Sequence, residues 1–199
     1  MFIKICGMTT LDAIAAACLA GADAVGFVFA PSPRRVTPAG AAKLARHVDG
    51  GVLKVAVTYH PDQKLIDEIV ASLAPDCVQS DIEDFDLVRL PAGVKRLPVV
   101  RAHRALPAQL PARLLFEGPA SGSGKASHWE IAARLATRTE LILAGGLKPA
   151  NVADAIARVR PFGVDVSSGV ESSPAVKDPM KIEAFVRAVR TATREELLS

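Results

Sequence analysis

The sequence predicts an α/β chain folded as a single (β/α)8 barrel domain spanning residues 1–199. Three observations lead there. Short, nearly continuous apolar runs alternate with segments of helical period along the whole chain, the pattern of parallel strands joined by helical crossovers that cover the sheet. Eight such runs occur, enough to close a barrel, where five or six would describe an open doubly wound sheet. No linker and no low-complexity tract interrupts them, so the chain reads as one domain at the short end of the barrel range.

The elements follow in order. Phe2 to Cys6 is an apolar run, and Thr10 is a plausible N-cap for a helix with Leu11, Ile14, Ala15, Cys18 and Leu19 on one face. Gly21 stops that helix. A strand at 24–30 precedes a loop containing SPRR, and Thr37-Pro38 opens the second helix with proline in its favoured first position. The strand at 52–57 leads to a helix from about Pro61, with Ile66, Ile69, Val70 and Leu73 inward. Strands at 76–79 and 94–100 come next, the latter with Pro98 as an awkward member. RAHRALPAQLPA leaves no room for a full helix before the strand at 113–117, so the fifth helix is predicted to be shortened or missing. A glycine-rich loop and a helix starting near Ser127 follow. ELILA at 140–144 runs into GGLKP and a helix with Val152, Ala155, Ile156 and Val159. The last strand, 162–166, runs into SSG, and Asp178-Pro179 opens the final helix.

Composition narrows the function. Half of the residues are hydrophobic and 23% are charged, with a formal net charge of +3, ordinary values for a globular chain with a sizeable core. The densest basic spots, at 34–36 and 101–104, form no stripe with interleaved aromatics. Seven Phe, one Tyr and one Trp make a poor base-stacking platform, so no nucleic-acid partner is expected. Cysteines 6, 18 and 77 form no CxxC pair and leave an odd one over, which argues for reduced thiols and a cytoplasmic location. No leader pattern begins the chain and no window nears 18 uninterrupted apolar residues, so no membrane partner is expected either. A monomer or a weak homodimer is the expected state.

Active sites of such barrels lie at the C-terminal ends of the strands. Those ends carry Cys6-Gly7, Gln79, Glu117, Gly145-Gly146 and Asp165 with Ser167-Ser168-Gly169, and the loop after the second strand carries Arg34. Glycines let backbone N–H groups approach a ligand, and the turns after strands seven and eight are where this architecture often holds phosphate. One such turn is ordinary; both together point to a phosphorylated small-molecule ligand. Cys6 alone could be core filler, whereas at a strand end opposite Glu117 it makes a base facing an acid, an arrangement for proton transfer. Arg34 could clamp a carboxylate with two parallel bonds, or be a solvated loop arginine. His47, His60, His103 and His128 lack metal-ligand spacing, and neither a phosphate-loop spacing nor a GxSxG elbow occurs.

Taken together these residues resemble the phosphoribosylanthranilate isomerase family of tryptophan biosynthesis. KICGMT at 4–9, GADAVGFVF at 21–29 with SPR at 32–34, LAGGLKPANV at 143–152, and GVDVSSGVE at 163–171 followed by KD at 177–178 match its motifs in order. The resemblance implies an Amadori rearrangement of N-(5-phosphoribosyl)anthranilate to an open-chain 1-deoxyribulose 5-phosphate amine, with no metal or organic cofactor. It implies Cys6 as the general base, Arg34 on the anthranilate carboxylate, the glycine turns on the phosphate, and Asp165 at the acidic position of the last strand.

The chain departs from that pattern in three places. Glu117 stands where the family usually has aspartate, which moves the carboxyl by about 1.5 Å, one C–C bond. An uncompensated shift of that size can cost on the order of 10²-fold in rate. The family's VQLHG reads VQSDI, keeping Gln79, and its glycine-rich loop is reduced to SGSGKASHW, keeping Gly122, Gly124 and Trp129. All three fall on the strand-four and strand-six side of the mouth and are expected to be coupled, so that Glu117 serves as the acid. Two alternatives stand beside this reading. Another sugar-phosphate barrel enzyme would need a strand-end lysine or paired acids with metal-binding histidines, and a degenerate, non-catalytic phosphate-binding barrel would bind without turnover.

Overall fold

The computed structural model describes residues 1–118 and 127–196. Eight parallel strands close into a barrel in sequence order: β1 (Phe2–Cys6), β2 (Ala24–Val28), β3 (Leu53–Val57), β4 (Cys77–Asp81), β5 (Lys95–Arg101), β6 (Arg113–Glu117), β7 (Glu140–Ala144) and β8 (Gly163–Val166). Closure comes from β1 pairing with β8 as well as with β2. The barrel predicted from eight apolar runs is the one that forms.

Among the described residues, six α-helices pack outside it: α1 (Leu11–Ala20), α2 (Pro38–Ala45), α3 (Gln63–Leu73), α4 (Ser127–Ala136), α5 (Val152–Val159) and α6 (Pro179–Glu196). Their starts follow the capping chemistry in the sequence. Thr10 accepts from the Ala13 N–H, Thr37 from the Gly40 N–H ahead of Pro38, and Asp178 from the Met180 N–H, each satisfying a donor the first turn cannot. Helix α3 begins two residues later than Pro61 suggests, because Asp62 is the cap and accepts from the Leu65 N–H. No helix joins β5 to β6, as the proline-rich segment requires. The structure goes further on this flank: β4 and β5 are joined only by a 3-10 turn, Ile82–Asp86, whose Phe85, with Val88 after it, covers the barrel in place of a helix.

Strand alternation sorts the interior into two layers. Ile3 and Ile5 of β1 face the helices and join the large outer core with Phe27, Phe116, Leu143 and Phe185. The inner filling is smaller: Ala24, Val55, Cys77, Leu97, Leu115 and Ile142, closed toward the strand starts by Phe2 stacked on Phe162. Cys77 thus sits in apolar filling, which pushes its thiol up to about 11, and Cys18 packs against the outer core. Pro98 does lie inside β5, in register with Ser80 of β4, at the expense of one ladder donor.

Beyond β8 the chain adds a 3-10 turn, Ser168–Val170, and a short antiparallel hairpin, β9 (Glu171–Ser173) and β10 (Val176–Lys177). The turn is wedged against the turn after β7. A Cβ on Gly169 would fall 1.9 Å from the Leu147 carbonyl oxygen, and one on Gly145 would fall 2.8 Å from that of Gly118. The glycines at these strand ends therefore let three exit loops pack backbone to backbone, which fixes one half of the barrel mouth.

Candidate active site

A cavity of about 580 Å³ opens at the C-terminal ends of the strands, within the usual range for a small-molecule pocket. Its walls include the strand-end residues predicted from the sequence except Gly7 and Gly169: Cys6 from β1, Arg34 from the β2 loop, Gln79 from β4, Glu117 from β6, Gly145 and Gly146 after β7, and Asp165, Ser167 and Ser168 from the β8 side. Gly169 is the next residue of the same turn, held behind the wall by its contact with Leu147. A larger cavity, about 890 Å³, lies at the opposite end among Phe2, Leu53, Cys77 and the starts of β5 to β7. There Arg113 pairs with Glu140, and Asp76 accepts the Lys54 backbone N–H. The chemistry gathers at the first cavity. Gly122 and Gly124 of the glycine-rich loop lie outside the described residues, while Trp129 packs on the outer core with Arg158 over its ring.

Cys6 is the last residue of β1 and is almost fully buried, 7% exposed. Directly across in register on β2 is Gly26, and the reason for that glycine is the sulfur. A Cβ at position 26 would lie 2.9 Å from Cys6 Sγ and 3.3 Å from Lys4 Nζ. Lys4, two residues before Cys6, points inward with no exposure at all and pairs with Asp165 Oδ1 at 2.7 Å. The two are register partners on β1 and β8. Burial pushes the Cys6 thiol up, Lys4 and Lys177 pull it down, Asp165 pushes it up, and the net direction is upward. Asp165, predicted as a substrate contact, lies at the cavity with its carboxylate engaged by Lys4.

Gly7 takes φ +85°, a left-handed value open to glycine, and a Cβ there would collide with Arg34 Cδ at 2.6 Å. Arg34 crosses the Cys6-Gly7 corner and does clamp a carboxylate with two parallel bonds, as its chemistry predicts. The carboxylate is the protein's own: Arg34 Nε and Nη2 donate to Glu171 at 2.6 and 2.7 Å. Glu171, the first residue of β9, also accepts from Lys177 Nζ at 2.8 Å, and that ammonium has no exposure. Burial pushes the Glu171 carboxyl up, but the bonds from Arg34 and Lys177 outweigh it and bring it down to about 2. Lys177 also donates to the Ser167 carbonyl, and Ser167 Oγ to the Cys6 carbonyl, so the hairpin ties Arg34, β8 and the end of β1 together.

The opposite wall is built from long ionic side chains. Glu117 lies in register with Arg101 of β5 and accepts from its Nη1. Arg101 also donates from Nε and Nη2 to Asp81 Oδ1, each at 2.9 Å, and Arg104 Nη1 reaches Asp81 Oδ2 at 3.1 Å. Burial raises the Glu117 carboxyl, Arg101 lowers it, Asp165 and Asp81 raise it, Lys4 lowers it, and the net direction is upward. Gln79 is 93% buried, and its side-chain Oε1 has no hydrogen-bond partner among the described residues. An orphaned acceptor of that kind costs free energy until a ligand meets it.

Gly26, Lys4, Glu171, Lys177, Asp81 and Arg101 were not singled out from the sequence. For Glu171 and Lys177 a signal was present, since GVE and KD carried the motif match. For the others the meaning lies in strand register, which no local pattern encodes. Among the described residues no cluster of His, Cys, Asp and Glu is arranged to hold a metal ion.

Two tests follow from this geometry. Gly26→Ala places a methyl against Cys6 Sγ, so turnover should fall by on the order of 10²-fold while the melting temperature moves by only a few degrees; an equally active variant would mean that the sulfur has room to spare. Glu171 is lowered in the folded chain from an ordinary 4.5 to about 2, so it stabilises the fold above pH 4.5 and loses that contribution as pH falls through 4.5 toward 2. Glu171→Gln should therefore be less stable than wild type at neutral pH, with the gap in thermal melts narrowing as pH falls through that window; a gap independent of pH would remove the assigned ionisation.

The comparisons agree with the motifs. Residues 3–188 match the family model for N-(5′-phosphoribosyl)anthranilate isomerase. The protein of that name from Mesorhizobium japonicum is 42% identical over 218 residues, covering 96% of this chain and 95% of its own. Among solved structures, TrpF from Jonesia denitrificans superposes with a TM-score of 0.82 at 38% identity, over 97% of this chain and 98% of that one. A phosphoribosylanthranilate isomerase in complex with reduced 1-(o-carboxyphenylamino)-1-deoxyribulose 5-phosphate gives 0.77 at 28% identity, over 96% and 99%.

Proposed function

Because the chain belongs to the N-(5′-phosphoribosyl)anthranilate isomerase family, an isomerase family of tryptophan biosynthesis, we propose that Cys6 and Glu117 are the base and the acid of its Amadori rearrangement. The observation that carries this assignment is their shared cavity, lined by a buried strand-end thiol and by a partly exposed strand-end carboxyl whose proton affinity is raised.

In this reading the glycine turns hold the phosphate of N-(5-phosphoribosyl)anthranilate through the N–H groups that open the Ser168–Val170 turn, donors with no acceptor inside the turn. Arg34 keeps three of its five N–H donors after Glu171 has taken two, and presents them to the anthranilate carboxylate. Gln79 offers its unpartnered amide oxygen to the sugar. Asp165 contributes through Lys4, whose ammonium beside the sulfur favours the thiolate.

The protonated Glu117 gives its proton to the furanose ring oxygen as the C1′–O bond breaks and the anilino nitrogen's lone pair forms the C=N bond. The Cys6 thiolate removes the C2′ proton, and the C2′–H pair moves into a C1′=C2′ bond as the iminium is neutralised. Return of a proton to C1′ and loss of the hydroxyl proton to the Glu117 carboxylate give the ketone. Hydrogen moves within one molecule, so no electron acceptor is consumed.

A carboxyl ordinarily ionises well below a thiol, and burial pushes both Glu117 and Cys6 upward. The reactive pairing, thiolate with carboxylic acid, is therefore the minority form of a coupled pair. Below the Glu117 value the thiolate keeps disappearing with no gain in acid, and above the Cys6 value the acid keeps disappearing with no gain in thiolate. The kcat/KM profile is then a bell whose acid limb follows Glu117 and whose basic limb follows Cys6.

Free cysteines at 6, 18 and 77 support a reducing compartment, the cytoplasm. The most exposed large apolar side chains, Leu19, Leu87 and Met180, lie on separate elements, which supports a monomer or a weak homodimer. No helix among the described residues is long and apolar enough to cross a membrane.

The decisive assay is the decay of phosphoribosylanthranilate fluorescence, with substrate generated in situ. Wild type should turn over rapidly, and Cys6→Ser and Glu117→Ala should each lose about 10²- to 10⁴-fold, the usual worth of a general acid or base, with product affinity near normal. Turnover that survives Glu117→Ala would remove the acid assignment. No turnover by folded wild type would favour a binding protein.

A further inference from the structure

We propose that Arg101 is the positioning residue for the acid: gripped by the buried carboxylate of Asp81, its guanidinium holds Glu117 in place at the mouth. The proposal rests on the reading of Glu117 as the general acid and adds what orients and tunes it.

The geometry is specific. Arg101 and Glu117 are register partners on adjacent parallel strands, so their side chains leave the sheet on the same side and meet at the cavity. Arg101 is itself restrained. Its Nε and Nη2 donate to Asp81, whose side chain is 1% exposed, and its guanidinium carbon lies 5.4 Å from the centre of the Tyr59 ring. Glutamate has one more rotatable bond than aspartate and would otherwise sweep a wider arc. A planar guanidinium fixed on one edge by Asp81 presents its Nη1 edge in one orientation only, and Glu117 meets it there. The resulting bridge joins the ends of β4, β5 and β6, the flank that lacks helices after β4 and β5.

Asp81 does more than anchor. An arginine left to Glu117 alone would stabilise the carboxylate and disable it as a proton donor. Asp81 takes the Nε–Nη2 edge of Arg101 and, with Arg104 also on it, supplies a nearby negative charge. Glu117 is thus held by hydrogen bond while remaining able to accept a proton. Among the described residues, the charged groups facing Glu117 are Arg101 from β5, Asp81 from β4, Asp165 from β8 and Lys4 from β1; Arg101 in turn faces Asp81, Glu117 and Tyr59. Removing Arg101 removes a positive neighbour and removing Asp81 removes a negative one, so the two changes must move Glu117 in opposite directions.

That opposition is the test. For wild type, Arg101→Gln, Arg101→Lys and Asp81→Asn we would record kcat, KM, the pH profile of kcat/KM, product affinity and thermal melts. Arg101→Gln should lower kcat by about 10²-fold, the loss expected for a displacement near 1 Å, with KM within a few-fold and the acid limb moved to higher pH. Asp81→Asn should move the acid limb to lower pH. Arg101→Lys, with a charge but no fork, should keep the limb near wild type and recover part of kcat. Acid limbs that stay at the wild-type pH in both Arg101→Gln and Asp81→Asn, with losses that track the melting temperature, would mark a structural ion pair and overturn the proposal. If Asp81→Asn does not fold, the two Arg101 variants decide alone. Turnover retained by Glu117→Ala would remove the acid assignment and this proposal with it. An inactive Glu117→Ala beside an Arg101→Gln of wild-type kcat and unmoved limb would remove only the positioning role.

Discussion

The mouth of this barrel is organised around a lysine ammonium with no solvent exposure, Lys4, and the carboxylate 2.7 Å from it, Asp165. A charge buried without a partner costs several kcal/mol, and breaking such a pair by removing one member typically costs about 3–5 kcal/mol. The two strands that close the barrel, β1 and β8, therefore cannot slip in register without separating these charges, because the residues are direct register partners. A well-packed apolar pair would stabilise a barrel as well or better. The ionic pair makes sense through what lies beside it: Cys6, whose thiolate is costly under burial and is relieved by Lys4. Gly26 follows from the same constraint, since the sulfur and the ammonium occupy the space its side chain would need.

A second buried ammonium, Lys177, repeats the logic on the outer rim. Glu171 neutralises it and simultaneously grips Arg34, so the β9–β10 hairpin is a strap that turns a long, flexible arginine into a fixed wall of the cavity. Side-chain entropy that binding would otherwise have to overcome is spent in folding. Gly7 completes the arrangement by letting the Arg34 stem cross the chain at the end of β1. The two buried lysines thus govern two corners of one cavity, the Cys6 sulfur and the Arg34 guanidinium beside it.

How much of this could be read from the sequence depends on the range of the interactions. Strands, helices, the missing fifth helix and most caps were legible because runs of apolar residues, Thr37-Pro38 or Asp178-Pro179 act within a few residues of one another. Strand-end positions were legible because the barrel rule converts sequence position into place. The loss of the helix between β4 and β5 was not, since Phe85 and Val88 cover the strands with a 3-10 turn of no distinctive period. Arg34 is the instructive case: its fork was expected on a ligand carboxylate, and two of its bonds go to Glu171, 137 residues away in the chain. Lys4 lies inside β1, but which way it points depends on the strand's phase and its meaning on Asp165 opposite. Arg101 was visible only as part of a basic tetrapeptide.

The two sides of the mouth are held by different physics, and this divides the labour of the site. On the β7 and β8 side, backbones touch: Gly145 against Gly118 at the exit of β6, and Gly169 against Leu147, leave no space for a methyl group. Contacts of that kind are stiff, independent of salt and independent of pH, which suits the recognition of a phosphate by backbone N–H groups. On the β4, β5 and β6 side, position is transmitted through Asp81, Arg101 and Glu117, long side chains whose grip depends on ionisation. Proton transfer requires a group whose charge changes, and a rigid backbone cradle cannot respond to that change. An arginine shared between the buried Asp81 carboxylate and Glu117 can, because its Nε–Nη2 edge stays anchored on Asp81 in either ionisation state of Glu117.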